Sequence, residues 1–289
     1  MRNYPFPNPE TKICLTIGHP VDKQKSLYMH NAGYEALGLN YLYLVRDIPP
    51  QQLAQGVNAM IQFGVSGMSV TMPHKVNIIA TLDEMTPAVE KIGACNTVHV
   101  QEGKTIGYNS DVIGALTCLK KKTELKARRA VVLGAGGAAR SVVYGLLEEG
   151  CEVVVLNRTQ KKAQLLGNDF GIRAYGFEAW NDYRQYDIVV NATSVGSRRE
   201  EDCTCRLCKL LYRGEEANIL FDENKVALDV VFQRNQTEFT KLLQGKGYNI
   251  VYGHEMLVAQ GAFQFELFTG HQAPVEVMYT ELKKNLESW

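Results

Sequence analysis

Apolar and polar positions along the chain alternate between short apolar runs and longer stretches with helical spacing. Lys12-Ile-Cys-Leu-Thr-Ile17 reads as a buried strand closed by Gly18-His19-Pro20. Asn40-Tyr-Leu-Tyr-Leu-Val45 and Gly67-Met-Ser-Val-Thr71 read as two more. Residues 26–37 lie between them with helical spacing and Gly38 as a stop signal, and residues 49–63 follow with proline near the start, where a missing N–H costs least. Short helices are expected over 76–82 and 87–92, then a hairpin of 96–100 and 104–108 around Gly103. A helix opens at Asn109-Ser110-Asp111, with Ser110 or Asp111 as its cap, and runs to about Lys122. Strands alternating with helices predict an α/β layer structure.

The second half repeats the alternation more sharply. Arg129-Ala-Val-Val-Leu-Gly-Ala-Gly-Gly-Ala-Ala-Arg140 is an apolar run, a glycine-rich corner and a helix of small residues. Glu152-Val-Val-Val-Leu-Asn-Arg-Thr159 is a second apolar run one helix length later. This spacing predicts a βαβ unit of the doubly wound, Rossmann type. Gly134, Gly136 and the small pair Gly137 and Ala138 let the backbone approach a pyrophosphate at a helix N-terminus, and Ala139 lets the helix pack close to the sheet. A helix from Gln160 and a short strand near Ile172 come next. Asp187-Ile-Val-Val-Asn191 is a further strand, ending in a polar loop through Thr193 at a carboxyl end, where open α/β sheets bind ligands. Val226–Val231 and Asn249–Tyr252 supply more strands, an amphipathic helix spans Glu255–Thr269, and Pro274 starts a closing helix.

Composition narrows this picture. The chain has 289 residues, enough for two domains, and 31 basic side chains balance 31 acidic ones, so nothing favours a nucleic-acid or membrane partner. No apolar run has bilayer-spanning length and the N-terminus has no signal-sequence pattern, so a cytoplasmic protein is expected, as a monomer or homodimer. Seven cysteines show no disulfide framework; Cys203, Cys205 and Cys208 cluster, but a closed zinc site wants four ligands at paired spacing, and no metal is expected.

Charge at the end of the second nucleotide strand changes the cofactor. NAD-binding units place a carboxylate there for the ribose hydroxyls. Here the chain reads Asn157-Arg158-Thr159 with Lys162 close behind, a fork and hydroxyl suited to a 2′-phosphate, so NADP is predicted. A nicotinamide enzyme also needs a proton donor and acceptor. Lys75 follows a strand and a proline, and Asp111 opens the helix leading to the nucleotide unit. A Lys–Asp pair can orient an ammonium and pass a proton.

Val70-Thr-Met-Pro-His-Lys75, Asn96-Thr97, Asn109-Ser-Asp111, Gly134-Ala-Gly-Gly-Ala-Ala139, Asn157-Arg-Thr159, Asn191-Ala-Thr-Ser194 and Met256-Leu-Val-Ala-Gln260 stand in the order and spacing of one family. From about Ile13 to Val277 the chain resembles the shikimate dehydrogenases, which reversibly reduce 3-dehydroshikimate to shikimate with NADP or NAD. The resemblance implies an α/β substrate domain of residues 1–108 and 253–289 and an inserted NADP-binding domain of residues 109–252. It makes Lys75 and Asp111 the catalytic pair. Thr71, Asn96 and Gln260 would meet hydroxyls or the carboxylate of a small ring acid, and Ser26 matches one of two substrate serines. Gly253 would sit near the nicotinamide with Val230 beside it.

Four substrate-side positions depart from the family pattern. Gln24 stands at the first serine, Leu27 at a proline, Ser69 at an asparagine and Phe232 at a tyrosine, and Gln24 and Ser69 are expected to bind substrate from those positions. These departures motivate two alternatives: a dehydrogenase of quinate or another cyclohexane-carboxylate, and a non-catalytic NADP-binding regulatory protein. Retention of Lys75 and Asp111 argues against the second, because neither is needed to bind NADP.

Overall fold

The computed structural model describes residues 7–21, 24–179, 185–196, 224–232 and 236–287. The chain divides into two compact units, Met1–Ile113 with Leu257–Trp289, and Gly114–Met256. The sequence expectation put the joints at 108/109 and 252/253; contacts place them a few residues later, inside two helices. Cys203, Cys205 and Cys208 lie outside the described residues.

In the first unit the elements run β1 (Lys12–Gly18), α1 (Ser26–Ala36), β2 (Tyr41–Asp47), α2 (Leu53–Gln62) and β3 (Val65–Val70). They continue with β4 (Glu84–Met85), α3 (Pro87–Ile92), β5 (Thr97–Gln101), β6 (Lys104–Tyr108) and the start of α4 (Ser110–Lys120). The sheet order is β2-β1-β3-β5-β6-β4. β1 pairs parallel with β2 and β3, and β5 runs antiparallel between β3 and β6. Cys14, Leu15, Thr16 and Ile17 are all buried, which suits a central parallel strand covered on both faces. The two-residue β4 was not legible in the sequence.

The second unit holds β7 (Arg129–Leu133), α5 (Gly137–Glu148), β8 (Glu152–Asn157), α6 (Gln160–Phe170), β9 (Arg173–Gly176), β10 (Ile188–Asn191), β11 (Val226–Asp229), α7 (Glu238–Gly245), β12 (Asn249–Val251) and the first turn of α8 (Gly253–Thr269). The closing helix, α9 (Val275–Glu287), belongs to the first unit and packs on α1. Strands β12-β11-β10-β7-β8-β9 form one parallel sheet, the doubly wound order whose switch point falls between β7 and β10. Ile188, Val189 and Val190, next to Val131 and Val132, are fully buried, as a two-sided parallel core requires. Helix α7 was missed in the sequence reading; its start is signed by Thr237, whose hydroxyl accepts from the Thr240 N–H at 3.2 Å.

The glycine corner lies at that switch point. Gly134 has φ +119°, and a Cβ there would come within 2.7 Å of the Ala192 carbonyl oxygen on the neighbouring loop. Gly136 differs: its φ is −91° and a Cβ would meet nothing within 4 Å. One glycine serves the fold and the other leaves open space before α5. Gly134→Ala is therefore expected to cost about 2 kcal/mol, the size of a strained backbone site, lowering Tm by roughly 4–8 °C. Gly136→Ala should leave Tm within about 2 °C. Thermal melts of both variants check this; equal Tm values would refute the division of roles.

Candidate active site

Lys75 lies after β3, in a segment anchored at several points. The Thr71 N–H donates to the Ile17 carbonyl at 2.9 Å, and the buried His74 Nε2 lies 2.7 Å from the Ile48 carbonyl. The Lys75 carbonyl itself accepts from the Cys95 N–H at 2.7 Å. With its backbone so held, the Lys75 ammonium meets Asp111 Oδ2 at 2.5 Å, with side-chain exposures of 18% and 3%. A single carboxylate–ammonium pair at the edge of burial is the group the sequence reading expected to handle a proton.

Asp111 is positioned by a cap, though not the expected one. Asn109, rather than Ser110 or Asp111, caps α4: its Oδ1 accepts from the Val112 N–H at 3.3 Å, and its amide donates to the Ala94 carbonyl at 2.9 Å. Ser110 and Asp111 are thereby free to serve elsewhere in the first turn. The Ser110 N–H donates to Asn96 Oδ1 at 2.7 Å, and this fixes which way the Asn96 amide points, because a backbone N–H can only donate. Asn96 Nδ2 then faces Gln260 Oε1 at 3.3 Å on α8.

Behind these residues runs a buried polar row. Gln264, one helical turn beyond Gln260, donates to Thr97 Oγ1 at 2.9 Å and Ser110 Oγ at 3.1 Å, and accepts from Ser69 Oγ at 2.8 Å. Ser69 accepts from the Tyr43 hydroxyl at 2.6 Å; Tyr43 lies 3.0 Å from Thr16 Oγ1, which lies 2.9 Å from Ser26 Oγ. The first unit thus joins Ser26, Ser69, Asn96 and Gln260 through Thr16, Tyr43, Gln264, Thr97 and Ser110, of which the sequence reading did not single out the first three. Thr71, Gln24 and Leu27 are half-buried near the same strand ends and the α1 start. Tyr43 and Gln264 were missed because each sits in an ordinary apolar pattern, where one polar atom leaves no periodic signal.

The second unit offers a dinucleotide cradle. Helix α5 starts at Gly137 with Gly136 as its cap and no side-chain capping bond, so its first-turn N–H groups face the open space left by Gly136. Ala139 is fully buried against the sheet. Arg158, Thr159 and Lys162 are exposed at the end of β8, and Asn157 Nδ2 donates to the Thr159 carbonyl at 3.0 Å, shaping that turn. The residues present therefore fit a phosphorylated dinucleotide. Thr193 caps the loop after β10, donating to Asn191 Oδ1 at 2.7 Å and accepting from the Val195 N–H at 3.1 Å. Val230 donates its N–H to the Asn191 carbonyl at 2.9 Å, and Phe232 is half-buried two residues on. Gly253, expected in the first domain, falls in this second unit, and a Cβ there would overlap the Val231 carbonyl.

Asp229 holds these loops together. It accepts from Asn191 Nδ2 and the Val231 N–H, both at 3.0 Å, and from the Thr237 hydroxyl at 2.5 Å. Burial outweighs these donors and pushes its carboxyl from an ordinary 3.8 up to about 6.

A parallel doubly wound sheet with a glycine corner at its switch point, together with a lysine–aspartate pair in a separate α/β unit, defines a dinucleotide-dependent oxidoreductase. Residues 16–98 match the model of the shikimate dehydrogenase substrate-binding domain, residues 117–201 that of shikimate/quinate 5-dehydrogenase, and residues 253–283 that of the shikimate 5′-dehydrogenase C-terminal domain. The shikimate dehydrogenase (NADP(+)) of Methanopyrus kandleri is 38% identical, covering 96% of this chain and 97% of its own, and that of Pyrococcus furiosus is 38% identical over 94% and 95%. The Thermus thermophilus shikimate 5-dehydrogenase in complex with NADP(H) and shikimate superposes with a TM-score of 0.81 at 34% identity, over 95% of this chain and all of that one. A 5-ketofructose reductase of Gluconobacter shares the fold at TM-score 0.81 and 28% identity, covering 96% and 100%. The chain belongs to the shikimate dehydrogenase family.

The raised Asp229 carboxyl carries a stability signature. Its folded pKa exceeds the unfolded one, so its contribution is fully present below about 3.8 and is lost as pH rises through about 6. Two units correspond to about 3 kcal/mol. Asp229→Asn cannot ionise, so relative to wild type it should gain up to about 3 kcal/mol between pH 4 and 7. Denaturant melts of both proteins at each pH measure this; a difference that stays constant with pH would overturn it.

Proposed function

We propose that this protein reduces 3-dehydroshikimate to shikimate with NADPH, and runs the reverse with NADP, using Lys75 and Asp111 as its catalytic pair. The observation that carries the reading is the 2.5 Å contact between Lys75 Nζ and a buried Asp111, in a family whose named relatives are NADP-dependent shikimate dehydrogenases. Bound dinucleotide supplies the hydride in reduction and takes it in oxidation. Lys75 donates a proton to the substrate carbonyl oxygen as the alcohol forms, and takes it back in the other direction. Asp111 keeps the Lys75 Nζ aimed, and is itself fixed by the capped first turn of α4 and the Asn96–Ser110 bond. Asn96 Nδ2, Gln260, Thr71 and Ser26 supply neutral groups to the ring hydroxyls and carboxylate, and a site built for those groups discriminates against analogues that lack them.

Gly136, Gly137, Ala138 and Ala139 would hold the pyrophosphate at the α5 N-terminus, and Arg158, Thr159 and Lys162 the 2′-phosphate. Thr193, Val230 and Gly253 line up at strand carboxyl ends for the nicotinamide side. Among the described residues, no helix is long and apolar enough to cross a membrane. The balance of 31 basic and 31 acidic side chains gives no electrostatic case for a nucleic-acid partner.

Gln24, Ser69 and Phe232 favour a second reading, in which quinate or another cyclohexane-carboxylate is the preferred ring. A substrate panel with NADP separates the two: a wide advantage for shikimate in kcat/KM removes the second, and the reverse order installs it. Lys75→Ala is expected to lower kcat roughly 100-fold or more, the size of a lost general acid, while NADP still binds by calorimetry. Arg158→Ala should raise KM for NADP roughly 10-fold with little change for NAD, the cost of one charge-assisted contact. Full turnover by Lys75→Ala would sink the assigned chemistry.

A further inference from the structure

The family pattern places an asparagine where this chain has Ser69. Here Ser69 is 8% exposed, and its hydroxyl has both a donor and an acceptor inside the protein, Tyr43 and Gln264. Its role must therefore be sought in what those partners hold. From Ser69 the row leads through the Tyr43 hydroxyl and Thr16 Oγ1 to Ser26 Oγ, in steps of 2.6, 3.0 and 2.9 Å. Thr16 sits on the central strand β1 and Tyr43 on β2, which pair in parallel register, so their backbones are fixed. Ser26 is the first residue of α1, whose N-cap position is Lys25 with no side-chain capping bond. The hydroxyl at the start of this helix is therefore tied to the sheet by Thr16.

We infer that Tyr43 and Thr16 are positioning residues for the substrate, holding the Ser26 hydroxyl in place from behind, and that Ser69 anchors this row to Gln264. The inference rests on the proposed placement of Ser26 at the substrate. Distances set the order of dependence. Thr16 contacts Ser26 directly at 2.9 Å, and Tyr43 holds Thr16 at 3.0 Å while its phenol also has the Ser26 hydroxyl as a weaker hydrogen-bond neighbour. The Tyr43 ring is itself clamped, stacked on His30 with centroids 4.2 Å apart and planes 3° from parallel. Burial pushes the Tyr43 phenol up to about 12 and the His30 imidazole down to about 3, so both stay neutral under ordinary assay conditions. Removing the phenol oxygen therefore removes its hydrogen bonds to Ser69 and Thr16 and no charge. At the other end Gln264 ties the same row to Thr97 and Ser110, the two hydroxyls beside Asn96. The end of the row at Ser26 and the end at Asn96 thus share one set of buried bonds, and the Asn96 end adjoins the Lys75–Asp111 pair through Ser110.

The test is a set of variants assayed with shikimate and NADP. Ser26→Ala comes first and is expected to raise the shikimate KM roughly 10-fold, as loss of one hydrogen bond to a charged group does. Thr16→Val, which keeps the shape and drops the hydroxyl, should raise it by a similar factor, and Tyr43→Phe by roughly 3-fold, nearer a neutral bond. In each, kcat and the NADP KM should stay within about 2-fold. Thr16→Ser restores the hydroxyl and should return the shikimate KM close to wild type. The deciding measurement is the double variant: in a Ser26→Ala background, Thr16→Val and Tyr43→Phe should add almost nothing, because they act through a group already removed. Full additivity would overturn the inference, since a merely structural loss persists without Ser26. If Ser26→Ala raises KM while Thr16→Val and Tyr43→Phe do not, the inference fails and the placement of Ser26 stands. If Ser26→Ala leaves KM unchanged, the placement fails and takes the inference with it. Circular dichroism melts identify any variant that fails to fold; should Tyr43→Phe do so, the Thr16→Val and Thr16→Ser pair decides alone.

Discussion

The bond from the Ser110 N–H to Asn96 Oδ1 is the constraint on which the candidate site of the first unit depends. It ties the start of β5 to the first turn of α4, two elements that the intervening hairpin returns to one place. A backbone donor leaves the asparagine no choice of orientation, so its Nδ2 is turned outward and its oxygen inward. The same turn carries Asp111, and the segment before β5 holds Lys75 by donating the Cys95 N–H to its carbonyl. Both members of the ion pair are thus fixed by main-chain hydrogen bonds within a few residues of Asn96. A long lysine side chain loses much rotamer freedom when held, and the structure meets that cost by fixing its backbone and its partner beforehand.

The nucleotide unit rests on a different kind of constraint, which is space. Its central strands β7, β10 and β11 are buried on both faces, so binding groups there come from the loops at the strand ends. There the Gly134 backbone meets Ala192, Gly253 meets Val231, and Asp229 gathers donors from β10, from its own strand's end and from the α7 cap. Small residues let the loops close up, and one buried carboxyl stitches them. A carboxyl with so much burial works against its own ionisation, which is why its pKa moves upward although every contact to it is a donor.

How far the sequence was legible follows from what each feature leaves in the chain. The two-sided apolar runs of β7, β8 and β10 and the glycine corner are local and periodic, and could be read directly. Lys75 and Asp111, 36 positions apart, carry no local signal that they touch; only the order of several motifs brought them together. The α4 cap was misassigned to Ser110 or Asp111 because three capping residues stand in a row, and the choice of Asn109 depends on Ala94 and Asn96, which are distant in sequence. Helix α7 was missed because Thr237 follows a polar stretch and its apolar face, Phe239, Leu242 and Leu243, is only two turns long.

Ser69 shows why a departure from a family pattern need not weaken a site. On sequence it was one of four departures that opened the question of a different ring substrate. The short side chain instead lies within 2.8 Å of both Tyr43 and Gln264, a gap that one oxygen spans. An amide at the same position would have to displace one of those partners or turn outward past them, and either course breaks the row between Ser26 and Gln264. The chemistry near Lys75 does not change with this exchange, since the Asn96–Ser110 bond and the ion pair lie on the far side of Gln264. Under the proposed placement of Ser26 at the substrate, the exchange would alter how firmly that hydroxyl is held, which acts on substrate affinity rather than on the proton step.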